Sequence, residues 1–183
     1  FNLVFALTFP WLRQTYPNLG QRLAGMQKNP VGFFSFWWLL TVILYVPMAL
    51  AVGAGTWTGI GPFDFQLSRL FLYSGYFFLG VIIGTIDFNS TLFGQDNPLV
   101  KRWWVLGIVA LLSFGLWIGL PPYLRVWVEH GDLPTTLGWI SYHSLFALSC
   151  TASSLFFLSG FKALIAKSSK WWDSLSENAY LIY

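Results

Sequence analysis

Long apolar runs without charged residues alternate with short polar segments along the chain, and this pattern predicts helices that cross a membrane. Residues 33–52 and 103–120 contain no charged residue, and residues 66–86 contain only Arg69 near their start and no other charge. Residues 137–161 form a fourth uncharged run. Each run has roughly the 20 residues that a helix needs to cross a bilayer. The chain is therefore predicted to be an all-α, polytopic transmembrane helix bundle with about four full spans.

The segments outside these runs contain residues that end or begin helices. The predicted loops are the basic segment 13–30, the glycine-rich segment 53–66 and the segment 121–136, which starts at two consecutive prolines. Residues 1–12 are apolar but too short to span a bilayer, and Ser174 with a glutamate three residues later predicts a helix that begins at residue 174. We expect residues 1–183 to be a piece of one larger transmembrane domain, with partial helices at both ends.

The amino-acid composition excludes several classes of protein. Charged residues make up 9% of the chain, against about 25% in an average soluble domain, and aromatic residues make up 20%. Disordered chains have the opposite composition. The net charge of +3 is small and the basic residues are scattered, so a nucleic-acid partner is not expected. Cys150 is the single cysteine, and an intrachain disulfide is therefore impossible.

The basic residues are shared unevenly between the two sides of the predicted bundle. Segments 13–30, 87–102 and 162–173 carry eight of the ten Lys and Arg residues, and the opposite side carries only Arg69 and Arg125. Short cytoplasmic loops of membrane proteins are enriched in Lys and Arg. We therefore expect these three segments to lie in the cytoplasm.

Ionisable residues inside the spans are the first candidates for a functional site, because such groups are costly within a bilayer. Arg69, Tyr73 and Tyr76 fall on one face of a helix and together can bind a phosphate or a carboxylate. The alternative is an arginine that extends to the lipid headgroups beside interfacial tyrosines. His143 can act as a general base, or it can be a structural histidine that bonds between helices.

The end of the chain and the common motifs add little. Asn178, Tyr180 and Tyr183 lie on the last predicted helix and can line a cavity there. The sequence contains no Walker A, Gly-x-Ser-x-Gly, His-Glu-x-x-His or Cys-x-x-Cys pattern. No metal or nucleotide site is therefore predicted.

Two stretches of the chain carry a family resemblance. The first is Gly61-Pro-Phe-Asp-Phe-Gln-Leu-Ser-Arg69 together with the apolar residues that follow it up to Gly84, and the second is Trp172-Asp-Ser-Leu-Ser-Glu-Asn-Ala-Tyr-Leu-Ile-Tyr183. In this order, on helices inside the membrane, they resemble a middle segment and a late helix of acyltransferase family 3. The residues that match the motifs of that family are Arg69, Tyr73, Tyr76, Ser176, Asn178, Tyr180 and Tyr183.

The resemblance implies a membrane-bound acyltransferase. Enzymes of this family move an acyl group, often acetyl or succinyl, from a cytoplasmic acyl-CoA to a hydroxyl of a sugar or of another cell-envelope molecule. The implied partners are acyl-CoA, a hydroxyl-bearing acceptor such as a glycan, and membrane lipid, with no metal, and the implied location is a bacterial inner membrane. The presumed catalytic histidine of the family lies in a first helix that does not occur in this sequence. The resemblance therefore assigns no catalytic residue to this chain.

Two other classes of protein are compatible with the residues alone. One half of a small-solute transporter has similar spans, although its partner half should appear as an internal repeat, and no repeat is visible within these 183 residues. A membrane subunit without catalytic activity fits the small number of ionisable residues in the spans. The resemblance is what favours an enzyme over both.

Overall fold

Most of the described part of the chain is helical. The computed structural model describes residues 10, 15–61, 63–86 and 92–164, with the backbone alone at positions 60 and 63. Two β-strands and two short 3₁₀ turns (Met26–Lys28 and Leu67–Arg69) lie among these residues. In chain order the helices and strands are α1 (Thr15–Gly25), α2 (Pro30–Val52), β1 (Trp57–Ile60), β2 (Phe63–Gln66), α3 (Leu70–Gly84), α4 (Pro98–Lys101), α5 (Trp103–Glu129) and α6 (Thr135–Leu164).

Four helical segments are long and apolar enough to cross a membrane: Pro30–Val52, Leu67–Gly84, Trp103–Glu129 and Thr135–Leu164. Large apolar side chains point outward from them, as Leu111 on α5 does with 74% of its surface exposed. Such a surface is unfavourable in water and is the one that lipid requires. The predicted all-α helix bundle is confirmed, and the four apolar helices indicate a membrane-embedded protein.

The segment predicted as a loop over residues 53–66 contains a β-hairpin. Gly53, with a φ of 84°, ends α2, and β1 then pairs antiparallel with β2 so that Trp57 lies opposite Gln66. Gly61 has a φ of 63° at the tip, a conformation that tight hairpin turns require. The glycines that indicated a loop in the sequence are therefore the residues that end the helix and turn the hairpin.

Helix α5 continues past the two prolines that were expected to end the third span at residue 120. It runs to Glu129, so the connection to α6 is only residues 130–134. Each proline removes one backbone hydrogen bond, but packing beyond them holds the helix. Leu124 is 3% exposed, and its side chain lies against Gly138 of α6, where a Cβ atom would come within 3.2 Å of it.

The basic segment 13–30 was expected to be a loop, and it contains α1. Pro17 lies in the first turn of this helix, where a proline is tolerated because no intrahelical partner for its nitrogen exists. Gly20 of α1 contacts the end of α3, because a Cβ atom at Gly20 would lie 3.0 Å from the carbonyl oxygen of Ile82. Asn29 then caps α2, since its side-chain oxygen accepts a hydrogen bond of 2.9 Å from the Gly32 amide.

Helix α6 is the centre of the bundle. It packs on α5, on α2 and on the short α4, whereas α3 packs on α1 and α2. The main core is built around Phe33, Trp37, Leu79, Leu106 and Leu155, and a second cluster at the hairpin end is built around Tyr45 and Leu72. Because α3 and α5 pack on different partners, a gap remains between them over α6. The helix predicted from residue 174 lies outside the described residues.

Candidate functional site

Arg69 lies where the hairpin end of the bundle meets the membrane-spanning part. It is the last residue of the 3₁₀ turn before α3, and its guanidinium carbon lies 5.3 Å from the ring centroid of Phe146 on α6. The side chain is partly buried and its Nε is buried without a hydrogen-bond partner. Lys101 pairs with Asp96 at the other end of the bundle, and no carboxylate of the described residues pairs with Arg69. Within this part of the chain, Arg69 therefore has no carboxylate to compensate its charge, and its guanidinium packs on an aromatic ring.

Phe146 connects Arg69 to an aromatic cluster at the same end of the bundle. Its ring lies 4.7 Å from that of Tyr45 and 5.2 Å from that of Trp117. Tyr45 in turn meets His143 at 5.7 Å with the rings nearly perpendicular. The charge of Arg69 thus lies over one ring of an aromatic cluster built from α2, α5 and α6.

His143 is enclosed in this aromatic cluster. It is 5% exposed, its ring stacks on Trp139 at 6.2 Å and meets Tyr142 at 5.3 Å. Its Nδ1 is buried and has no hydrogen-bond partner among the described residues. One alternative from the sequence was a structural histidine that hydrogen-bonds between helices, and within this part of the chain Nδ1 forms no such bond. The other alternative, that His143 acts as a general base, stays a prediction.

The gap between α3 and α5 forms a groove of about 520 Å³ below Arg69, which we call the membrane groove. Its residues come from three of the membrane-spanning helices. They are Leu72, Tyr73 and Tyr76 of α3, Phe114 of α5, and Phe146, Ser149, Cys150, Ser153, Ser154 and Phe157 of α6. Arg69 is not itself a lining residue, but Phe146 both lines the groove and contacts Arg69, so the charge lies beside one end of the groove.

The two tyrosines predicted to act with Arg69 have different surroundings. Both line the membrane groove, and Tyr73 lies one helical turn from Arg69 with 46% of its surface exposed. Tyr76 lies seven residues from Arg69, roughly 10 Å along the helix axis. Its hydroxyl contacts Thr41 Oγ1 at 2.9 Å, and Thr41 Oγ1 also contacts Thr151 Oγ1 at 3.2 Å. Tyr76 is thus anchored to the core by its hydroxyl and presents its ring to the groove.

Several residues of the site were not among the predicted candidates. Thr41 and Thr151 complete the hydroxyl network with Tyr76, and four small residues of α6 line the groove. The sequence contained a signal for these four residues, because Ser149-Cys-Thr-Ala-Ser-Ser154 is a run of small, mostly polar residues inside an apolar span. Phe146 gave no such signal, since a phenylalanine is unremarkable in a membrane helix.

The remaining predicted residues, Ser176, Asn178, Tyr180 and Tyr183, lie outside the described part of the chain. Among residues 10, 15–61, 63–86 and 92–164, no group of three or more His, Cys, Asp or Glu side chains is arranged to hold a metal ion.

Comparisons with protein-family models, with curated proteins and with solved structures find no match to this chain. The four apolar helices indicate a membrane-embedded protein, and a groove opens between three of them. The resemblance to acyltransferase family 3 rests on the residues quoted above and stays an interpretation of the sequence.

Proposed function

We propose that this chain is part of a membrane-bound acyltransferase and that it binds the hydroxyl-bearing acceptor. The enzyme moves an acetyl- or succinyl-type group from a cytoplasmic acyl-CoA to a hydroxyl of a sugar or another cell-envelope molecule. The observation that carries the proposal is that Arg69, which has no carboxylate partner among the described residues, lies on Phe146 beside a groove lined by Tyr73 and Tyr76. These are three of the residues on which the family resemblance rests.

The chemistry of the transfer defines what the protein must supply. The acceptor oxygen attacks the thioester carbonyl, a C–O bond forms, the C–S bond breaks, and the CoA thiol leaves with the proton that a general base took from the hydroxyl. Donors must also stabilise the charge on the carbonyl oxygen. Arg69 supplies the binding of an anionic group on the acceptor, because a guanidinium bonds a phosphate or carboxylate through two parallel hydrogen bonds. His143 is the one candidate base among the described residues of the spans.

The distribution of basic residues supports an orientation for this reaction. Lys28, Lys101, Arg102 and Lys162 lie at the end of the bundle opposite the hairpin, and we propose that this end faces the cytoplasm of a bacterial cell. Acyl-CoA then approaches from the basic end. Arg69 lies at the outer end, which favours the acceptor rather than CoA as its ligand.

The test is an arginine substitution in the intact protein. Membranes that contain wild-type protein or Arg69→Gln receive radiolabelled acetyl-CoA, and the label in the lipid and glycan fractions is counted. We expect Arg69→Gln to lower transfer by about tenfold or more, since charge-assisted hydrogen bonds contribute about 1.5–3 kcal/mol. Arg125→Gln is the matched control, because Arg125 is an exposed arginine at the same end of the bundle. Unchanged transfer in Arg69→Gln would remove Arg69 from the site.

A further inference from the structure

The membrane groove opens sideways, towards lipid. Its rim residues Tyr73, Phe114 and Phe157 are 46%, 48% and 58% exposed, and all three lie on membrane-spanning helices. A ligand that enters through this opening therefore comes from the lipid phase and not from the aqueous phase. A soluble sugar would bind poorly in such an opening, because its hydroxyls would lose their hydrogen bonds to water without compensation.

The length of the groove matches one leaflet of a bilayer. It runs along α6 from Phe146 beside Arg69 to Phe157, eleven residues away and therefore roughly 16 Å along the helix axis. The hydrocarbon core of a bilayer is about 30 Å thick, so half of it is about 15 Å. A lipid chain that begins beside Arg69 would thus extend to Phe157, which lies five residues before Lys162 at the basic end of α6.

The walls of the groove are mainly apolar, although several of the lining residues carry hydroxyl groups. The Tyr76 hydroxyl contacts Thr41, and the Ser154 hydroxyl donates to the Cys150 carbonyl at 2.8 Å. These groups are satisfied within the protein and have little tendency to compete for a ligand. Tyr73, Ser149 and Ser153 add further hydroxyls, but most of the exposed lining is apolar and is therefore suited to a hydrocarbon chain.

The charge at the outer end selects the headgroup. Arg69 has no carboxylate partner among residues 10, 15–61, 63–86 and 92–164, and Phe146 holds its guanidinium at the end of the groove. A phosphate on the lipid would compensate this charge through bidentate hydrogen bonds. A neutral headgroup would leave it uncompensated.

We propose that the membrane groove binds a membrane lipid with an anionic phosphate headgroup, with the phosphate at Arg69 and one hydrocarbon chain along α6 towards Phe157. If the proposed acyl transfer holds, the acceptor is then a hydroxyl-bearing phospholipid or lipid-linked phosphate that arrives through the bilayer. The lipid binding itself does not depend on that function.

Cys150 lines the groove, so its alkylation at alkaline pH, where the thiolate forms, is the readout of occupancy. The purified intact protein in a neutral detergent is alkylated with N-ethylmaleimide, and modification of Cys150 is followed by peptide mass spectrometry. Three probes are compared: phosphatidylglycerol has the phosphate and the chains, diacylglycerol has the chains alone, and glycerol phosphate has the phosphate alone. At a concentration ten times its Kd, phosphatidylglycerol should slow alkylation by about tenfold by mass action. The other two probes should have little effect.

Two groove variants and one control separate binding from folding. Arg69→Gln should lose protection by phosphatidylglycerol, whereas Arg125→Gln should keep it. Ser153→Phe fills the groove with Arg69 intact, and native mass spectrometry should show that this variant no longer retains a bound phosphatidylglycerol. A single cooperative thermal transition in each variant, with a shift in Arg69→Gln no larger than the lost contact with Phe146 accounts for, confirms that the fold is intact.

Three other outcomes of the protection experiment overturn the proposal. Equal protection by diacylglycerol would show that Arg69 does not select the headgroup, and equal protection by glycerol phosphate would show a site for soluble phosphates. If no probe protects Cys150, the groove is covered by another part of the chain or by a second copy. If phosphatidylglycerol protects Cys150 but no acyl transfer is found, the lipid site stands and the proposed enzyme activity is rejected. If acyl transfer to a soluble acceptor is found but no lipid protects Cys150, the enzyme activity stands and the lipid site is rejected.

Discussion

Arg69 and Phe146 join two parts of the bundle that are otherwise separated by the membrane groove. The guanidinium carbon lies 5.3 Å from the ring centroid of Phe146, so the segment between the hairpin and α3 is tied to α6 by a cation–π contact. The same ring packs on Tyr45 and Trp117. The position of the only charge in the α3 span therefore depends on the aromatic cluster, as well as on its own helix.

The first prediction concerns this contact. Phe146→Leu keeps an apolar side chain but removes the ring, and we expect it to lower the free energy of unfolding by about 1–2 kcal/mol, because cation–π and aromatic contacts are both lost. Thermal unfolding in detergent measures the effect. Phe157→Leu is the control, since Phe157 is 58% exposed at the far end of the groove. An equal shift in both variants would show that the Arg69 contact is not stabilising.

The second prediction concerns His143. Its Nδ1 is buried without a hydrogen-bond partner among the residues described, so His143→Phe should leave the melting temperature unchanged or raise it, because an unsatisfied polar atom leaves an aromatic environment. If His143 is the general base, the same variant should lose acyl transfer by about a hundredfold or more. A marked loss of stability would instead show that the histidine is structural.

The third prediction concerns the hydroxyl network inside the membrane. Thr41→Val removes the contacts with Tyr76 and Thr151 at nearly constant volume, and we expect a loss of about 1 kcal/mol, as for other hydrogen bonds between membrane helices. Equilibrium unfolding in mixed micelles measures it. Tyr76→Phe alone and combined with Thr41→Val gives the coupling energy. Strictly additive losses would show that the two hydroxyls do not act as a unit.

The spans and the shared face of Arg69, Tyr73 and Tyr76 could be predicted, because both follow from spacing along one helix. The absence of charge marks a membrane helix, and positions four and seven residues apart lie on one side of it. The structure places both tyrosines on the membrane groove. The partner of Arg69 could not be predicted in this way, because Phe146 is 77 residues away and its position depends on how α2, α5 and α6 pack.

Local signals for turns were less informative than packing. Pro17 indicated a loop, yet it lies in the first turn of α1, and Gly61 indicated a loop, yet it turns a hairpin. A proline or glycine restricts the backbone at one residue, and its effect depends on where in an element it lies. That position is set by contacts with distant residues, which a single sequence does not reveal.

The last prediction tests the continuation of α5 beyond its two prolines. Leu124 is 3% exposed and contacts Gly138 of α6, so Leu124→Ala should lower the free energy of unfolding by about 2–3 kcal/mol through the lost contacts and the cavity left behind. Val126→Ala is the control on the same turn, since Val126 is 49% exposed and should change stability by less than about 0.5 kcal/mol. Thermal unfolding of both variants in the same detergent gives the comparison. Had the helix ended at residue 120, residues 121–136 would be a surface loop and the two substitutions would have equally small effects. A large difference between the two variants would therefore show that the helix continues past the prolines and that Leu124 packs on α6.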